Sequence, residues 1–243
     1  MPRNARRKLA QVPLHVVQRG VDRCATFRSN DDFALYLGLL NELGPSFDCS
    51  LHAYVLMTNH VHLLLTSGTV DGPSLLMKHL GQRYVQTFNR RFERTGPLWE
   101  GRFRSHPVDG GMYFFRCHRY IELNPVRAGM VRHPWEYPWS SYRGNSGLDA
   151  SIILRPHARY TDLGTSYEER AARYRGYFEH PPTEADLAEI RRSINSGSAF
   201  GSAEFVSDLE ARLGRRSKAL ARGRPKGSGQ IVLPDGKRGL SPV

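Results

Sequence analysis

The chain has 243 residues, of which 40% are hydrophobic and 24% charged, and its formal net charge is +12 at pH 7. These values predict a soluble globular protein with a substantial core, and no apolar run approaches the roughly 20 residues that span a bilayer. The N-terminus lacks the apolar stretch of a secretory signal, and the three cysteines form neither a CxxC pair nor a disulfide framework. We therefore expect a cytoplasmic protein that does not enter a membrane.

Positive charge is concentrated in three parts of the chain. Residues 1–8 carry four basic and no acidic side chains, residues 73–143 carry twelve basic and five acidic side chains, and residues 215–243 carry eight basic side chains and one acid. This distribution suits a protein that holds a polyanion at defined places. A soluble surface with basic ends would explain the charge equally well.

Hydrophobic patterning predicts a β-α-β-β-α-β order in the first half of the chain. The expected elements are a strand at 13–20, a helix at 30–43, a β-hairpin at 51–66, a helix at 72–92, a strand at 98–108 and a third helix at 112–124. This is the order of the split βαβ, ferredoxin-like arrangement. The fold class expected is therefore α+β, with helices on one face of an antiparallel sheet and the other face free to bind.

The second strand of the hairpin opens with His60-Val61-His62. Successive residues of a strand point to opposite faces, so His60 and His62 lie side by side on one face. Neutral imidazole is a common ligand of divalent metals, and a strand fixes its direction. The pair could thus form half of a metal site, although two exposed histidines on an ordinary sheet have the same spacing.

The third helix places polar and aromatic residues on one face. Tyr113, Arg116, Tyr120 and Asn124 follow one another at spacings of three, four and four, which is the repeat of a helix face. On this pattern alone, Tyr120 can simply pack at the end of the helix.

The segment 98–108 combines two aromatic residues, Trp99 and Phe103, with Arg102 and Arg104. Aromatic rings beside guanidinium groups suit stacking on unpaired bases and contact with phosphate. A half-buried edge strand with solvated arginines is the alternative.

Beyond residue 144 the sequence has no motif that indicates a function. Three helices are predicted there, with a Ser or Thr available to cap each: 166–178 with Ser166, 183–195 with Thr183, and 202–213 with Ser202. The following tail, 215–243, is basic and poor in apolar residues, which predicts disorder in isolation. Its Arg222-Gly223-Arg224-Pro225 resembles the core of an AT-hook, in which arginines enter a narrow minor groove.

Three segments resemble the REP-associated tyrosine transposases, a branch of the single-tyrosine HUH transposases: TNHVHLLL (58–65), LWEGRFRS (98–105) and YIELNPVRAGMV (120–131). The resemblance covers residues 10–145, and it implies the same ferredoxin-like fold and the cleavage and rejoining of single-stranded DNA at hairpin-forming palindromes.

The resemblance also assigns roles to individual residues. It implies that His60 and His62 bind a divalent metal, Mg²⁺ or Mn²⁺, and that Tyr120 is the nucleophile. Asn124 stands where the superfamily usually has a glutamine ligand, and its shorter amide reaches less far. Because free tyrosine has a pKa near 10, we expect a nearby cation, Arg116 or Arg119, to assist Tyr120.

Four regions are expected: a basic arm at 1–12, the transposase domain at 13–143, a helical extension of unknown role at 144–214, and a DNA-binding tail at 215–243. DNA contacts are expected from Arg19, Lys78, Arg83, Arg90, Trp99, Arg102, Arg104, Arg116, Arg119, Arg222 and Arg224.

These observations predict a metal-dependent endonuclease and strand transferase that acts on single-stranded or hairpin DNA through a covalent 5′-phosphotyrosine, as a monomer or homodimer. Two alternatives remain open at this stage. One is a DNA-binding or repressor protein of the same fold without the chemistry. The other is an RNA-binding ferredoxin-like protein, for which Trp99 and Phe103 would form the stacking surface.

Overall fold

The computed structural model describes residues 9–214 and Ser217. Residues 1–8 and the rest of the predicted tail, including Arg222 and Arg224, lie outside the described residues.

Four strands and nine α-helices form within the described part of the chain. The strands are β1 (Leu14–Arg19), β2 (Cys49–Met57), β3 (His60–Ser67) and β4 (Arg104–Pro107). The helices are α1 (Asn30–Ser46), α2 (Gly72–Arg91), α3 (Met112–Glu122), α4 (Asn124–Arg127), α5 (Tyr142–Asn145), α6 (Ala158–Thr161), α7 (Tyr167–Gly176), α8 (Glu184–Ser196) and α9 (Ala203–Leu213). No described helix is long and apolar enough to cross a membrane.

The strands form one antiparallel sheet in the order β2-β3-β1-β4. Because β3 lies between β1 and β2, the β1-α1-β2 unit is split, as in the ferredoxin-like arrangement. The expected α+β class and antiparallel sheet are confirmed. The hairpin turn at Thr58-Asn59 puts His60 opposite both Met57 and Arg19.

Helices cover both faces of the sheet. Helices α1 and α2 pack on the face that carries Val16, Leu63 and Leu65. Helix α3 packs on the opposite face, against Val55 and Leu64. The expectation that one face of the sheet would be free is therefore wrong. The apolar side of α3 is buried against the sheet face that carries the histidines.

The helical extension shares the core of that second face. Tyr160, Tyr174, Ile190 and Phe200 pack with residues of α3 and β2 in a single apolar cluster. The extension also forms a parallel bridge to the β4 side of the sheet, where Phe200 pairs with Val108. The three predicted caps are confirmed by side-chain hydrogen bonds from the helix N-termini to Ser166, Thr183 and Ser202.

The region predicted as a strand at 98–108 is a strand only from Arg104 to Pro107. Its first half forms turns and a single bridge between Trp99 and Gly20. The side chains of Trp99 and Phe103 are buried, at 8% and 7% exposure. Their rings belong to the α1–α2 core, so this segment closes the apolar cluster and does not extend the sheet.

Candidate functional site

The two histidines of β3 lie together near the turn that begins the strand. The ring centroids of His60 and His62 are 5.1 Å apart. Nδ1 of His60 lies 2.7 Å from Oδ1 of Asn59, and Nδ1 of His62 lies 2.8 Å from Nε2 of His15 on β1. Both rings thus use Nδ1 for a hydrogen bond within the protein, which makes Nε2 the atom of each ring available to an external ligand.

Both rings are neutral at physiological pH. Burial, and then the positive charge of Arg19, lower the pKa of His60 to about 4. Burial is also the main reason why the pKa of His62 lies well below the usual value of histidine. Neutral imidazole is the form that coordinates a metal, so the state of both rings fits the predicted role.

Tyr120 lies beside this histidine pair. Helix α3 packs on the same face of the sheet, and the Tyr120 ring centroid is 5.8 Å from that of His62 and 5.9 Å from that of His15. The tyrosine is 7% exposed. Burial raises the pKa of its hydroxyl, and the positive charges of Arg127 and Arg191 oppose that effect.

Arg127 makes two contacts with Tyr120. Its guanidinium carbon is 4.5 Å from the centroid of the Tyr120 ring. Its Nη2 also donates a hydrogen bond of 2.7 Å to the Tyr120 carbonyl oxygen. Arg191 lies on α8, in the helical extension, and its positive charge also acts to lower the Tyr120 pKa.

Helix α3 ends at Glu122, and Asn124 is the first residue of the short helix α4. Its amide nitrogen donates a hydrogen bond of 3.3 Å to the carbonyl oxygen of Tyr120. Among the described residues, no group of three or more His, Cys, Asp or Glu side chains is arranged to hold a metal ion. A divalent ion here would therefore depend on the His60–His62 pair and on oxygen ligands such as the Asn124 amide or a substrate phosphate, and the neutral histidine pair fits that requirement.

The two cations expected to assist Tyr120 are engaged elsewhere. Arg116 forms ion pairs with Asp186 and Glu189 of α8, and Arg119 donates to the carbonyl oxygen of His180. These arginines hold the helical extension against α3. Their predicted role beside Tyr120 is corrected accordingly, since Arg116 is paired with two carboxylates and Arg119 with a backbone carbonyl. Their contacts with DNA stay a prediction.

The other predicted DNA contacts differ in exposure. Lys78, Arg90 and Arg102 are exposed. Arg19 and Arg83 form exposed ion pairs with Glu100 and Glu42.

Arg104 is exposed and donates to the amide oxygen of Asn195. The predicted DNA contact of Trp99 is wrong. The Trp99 ring packs against the rings of Tyr36 and Tyr84, whose centroids are 6.3 and 6.1 Å away. A ring packed in this way cannot stack on a base.

Sequence reasoning missed three residues of the site. His15 is a direct hydrogen-bond partner of His62. Arg127 lies seven residues after Tyr120, about two helical turns, and this spacing could have indicated it. Arg191 is 71 residues away in sequence, and no local signal connects it with Tyr120.

Comparison with known proteins adds a family to this geometry. Residues 8–124 match the family model described as transposase IS200 like. The matched segment contains β1 to β4, all of α3, the histidine pair, Tyr120 and Asn124. No curated protein sequence matches the chain.

Solved structures also resemble this chain. A REP-associated tyrosine transposase bound to a REP hairpin superposes with a TM-score of 0.53 and 16% identity, covering 65% of this chain and 93% of that one. At this identity the likeness supports the fold alone. A putative transposase from Deinococcus radiodurans has a TM-score of 0.35 and 18% identity, covering 53% of this chain and 92% of that one. A bacterial tRNA(His) guanylyltransferase-like protein in complex with GTP has a TM-score of 0.35 and 13% identity, covering 53% of this chain and 72% of that one. Those two scores carry no further argument.

Proposed function

We propose that this protein cleaves and rejoins single-stranded DNA with Tyr120 as the nucleophile. Residues 8–124 match the IS200-like transposase family model, which supports this proposal. The observation that carries the proposal is the convergence of Tyr120 and the His60–His62 pair on one face of the sheet, with the Tyr120 and His62 ring centroids 5.8 Å apart. A phenolic hydroxyl beside two neutral imidazoles matches what phosphodiester transesterification requires.

Tyr120 gives up its hydroxyl proton to solvent, and its phenolic oxygen attacks the phosphorus of the scissile phosphodiester. The new bond joins the tyrosine to the 5′-phosphate, the bond to the 3′-oxygen breaks, and the 3′-oxygen takes up a proton to become a hydroxyl. Attack by a second 3′-hydroxyl on the same phosphorus releases Tyr120 and rejoins the strands. No external energy source is needed, because each step exchanges one phosphodiester for another.

Charge is the main obstacle to this reaction, because the nucleophile becomes anionic as it approaches an anionic phosphate. A divalent cation, Mg²⁺ or Mn²⁺, held by His60, His62 and Asn124 would neutralise the scissile phosphate. Arg127 and Arg191 act on the nucleophile, since each favours the phenolate form of Tyr120 against the effect of burial. We assign to these two arginines the role first expected of Arg116 and Arg119.

Hairpin DNA is the proposed substrate. The REP-associated transposase of similar fold is bound to a REP hairpin, and the exposed cations Lys78, Arg90 and Arg102 give this chain a surface for phosphate. The RNA-binding alternative loses support, because Trp99 and Phe103, its expected stacking surface, are buried.

The test is formation of a covalent protein–DNA product. Single-stranded hairpin DNA labelled at its 3′ end is incubated with the protein and Mn²⁺ or Mg²⁺, and the product is resolved under denaturing conditions, because the 3′ fragment is the one that would stay joined to Tyr120. We expect the wild type and Tyr113→Phe to become labelled, and Tyr120→Phe to remain unlabelled. Tyr113 is a suitable control because it lies on the same helix, where it stacks with Arg116.

Absence of a labelled product in the wild type would favour the alternative of a DNA-binding protein without chemistry. A labelled Tyr120→Phe product would contradict the assigned nucleophile. Equal hairpin affinity of the wild type and Tyr120→Phe, measured without metal, is expected under the proposal because the substitution removes only the hydroxyl.

A further inference from the structure

A buried imidazole lies directly behind His62. His15 is fully buried on β1, and its Nε2 is 2.8 Å from Nδ1 of His62. The two rings are stacked, with centroids 5.0 Å apart and planes inclined by 28°. The register explains the contact: His62 pairs with Val17, two residues from His15, so both histidines lie on the same face of neighbouring strands.

One proton can occupy the hydrogen bond between these two nitrogens. If His15 donated it from Nε2, neutral His62 would carry its own proton on Nε2 and could not coordinate a metal through that atom. If His62 donates it from Nδ1, the lone pair of Nε2 is available. The two ring nitrogens are 2.8 Å apart, which is a hydrogen-bond distance, so one ring must donate to the other.

The environment of the neighbouring ligand points to the second arrangement. Nδ1 of His60 faces Oδ1 of Asn59, which only accepts, so His60 carries its proton on Nδ1 and presents Nε2. For both rings to bind one cation through Nε2, His62 must also carry its proton on Nδ1. His15 can give His62 that tautomer by accepting at Nε2.

We propose that His15 is a positioning residue, which accepts a hydrogen bond from Nδ1 of His62 and thereby fixes the tautomer and ring orientation that present Nε2 of His62 to a divalent cation. This inference rests on the proposed function for its purpose, but the hydrogen bond itself can be tested without metal or DNA. A ring that bonds a metal commonly donates its second nitrogen to an acceptor behind it, and loss of such an acceptor typically costs about 10- to 100-fold in metal affinity.

The direct test is the histidine nitrogen spectrum of the ¹⁵N-labelled, metal-free full chain, assigned by comparison with His62→Gln. We expect His62 to be protonated on Nδ1 in the wild type. A wild-type His62 protonated on Nε2 would overturn the proposal, and this measurement needs no variant of His15 to fold.

A matched pair of substitutions tests the consequence. His15→Gln keeps an acceptor oxygen close to the position of Nε2, whereas His15→Phe keeps a ring but has no acceptor. We expect the Mn²⁺ dissociation constant, measured by electron paramagnetic resonance, to rise about tenfold or more in His15→Phe and to stay within about threefold of the wild type in His15→Gln. Thermal unfolding of both variants controls for damage to the core.

Two outcomes separate this proposal from the proposed function. If His62 is protonated on Nδ1 but the wild type does not bind Mn²⁺, the metal role fails while the hydrogen-bond assignment stands. If the wild type binds Mn²⁺ and His15→Phe binds it equally well, the positioning role of His15 is refuted while the proposed function stands.

Discussion

Replacing Glu122 by glutamine should stabilise the protein relative to the wild type as the pH rises. Glu122 is fully buried on α3, two residues after Tyr120, and its carboxylate accepts hydrogen bonds from Ser141, Tyr174 and Asn145. Burial raises its pKa from 4.5 to about 7, because the three donors only partly offset the loss of water around the charge.

The direction in which Glu122 changes stability depends on its protonation in the folded and in the unfolded chain. Below pH 4.5 the carboxyl is protonated in both the folded and the unfolded chain, and it imposes no cost. Between pH 4.5 and 7 the unfolded chain has lost the proton and the folded chain still binds it, so stability decreases as the pH rises. From pH 5 to pH 8 the folded state should lose about 2.5 kcal/mol through this one group, at roughly 1.4 kcal/mol per pH unit over the range between the two pKa values.

Urea unfolding of the metal-free protein at pH 5 and pH 8 measures this effect. Because other groups titrate equally in both proteins, the quantity to compare is the difference in unfolding free energy between Glu122→Gln and the wild type. We expect this difference to move by about 2.5 kcal/mol in favour of the variant. Glu93→Gln, at an exposed position, is the control and should show no such movement. A difference for Glu122→Gln that is independent of pH would refute the reasoning.

Three further predictions concern the site and its surroundings. Arg191→Gln should slow covalent cleavage by about tenfold or more, because each 1.4 kcal/mol of lost transition-state stabilisation is about tenfold in rate. The neighbouring Arg192→Gln is the control and should change the cleavage rate little. Equal cleavage rates for the two variants would remove Arg191 from the mechanism. Deleting residues 215–243, with eight basic side chains, should lower hairpin affinity and flatten its salt dependence in a binding titration, and unchanged binding across the salt series would refute a DNA role for the tail. Burial lowers the pKa of His52 to about 4, so its contribution to stability should be present above pH 6.5 and be lost as the pH falls towards 4. The unfolding free energy of His52→Gln should therefore fall less steeply than that of the wild type as the pH is lowered. An unchanged acid transition would contradict this.

The parts of the site that the sequence revealed are those governed by local periodicity. His60 and His62 share a face because a strand alternates every residue, and Tyr120 shares a helix face with Arg116 and Asn124 because of their spacing. Both patterns depend on a few neighbouring residues, so they can be identified before the fold is known.

The residues that sequence reasoning missed or misassigned depend on contacts between distant segments. Trp99 stands beside arginines, which is typical of a nucleic-acid surface, but the rings of Tyr36 and Tyr84 offer it an apolar site. His15 contacts His62 because β1 pairs with β3, a register that neither strand encodes alone. Arg191 reaches Tyr120 because the extension docks on α3, and nothing near Arg191 in sequence announces that docking.

The structure separates basic side chains that a DNA phosphate can reach from those held by carboxylates of the protein. Exposed ion pairs contribute about 0–1 kcal/mol, so a DNA phosphate can displace Glu100 from Arg19, whose side chain is 40% exposed. Arg116 is 24% exposed and contacts two carboxylates, so removing it from them would leave two partly buried acids without a cation. Arg19 pairs with His60 in the sheet register, and Arg116 lies towards α8. DNA phosphates should therefore approach the histidine pair along β1, and the basic face of α3 should stay committed to the helical extension.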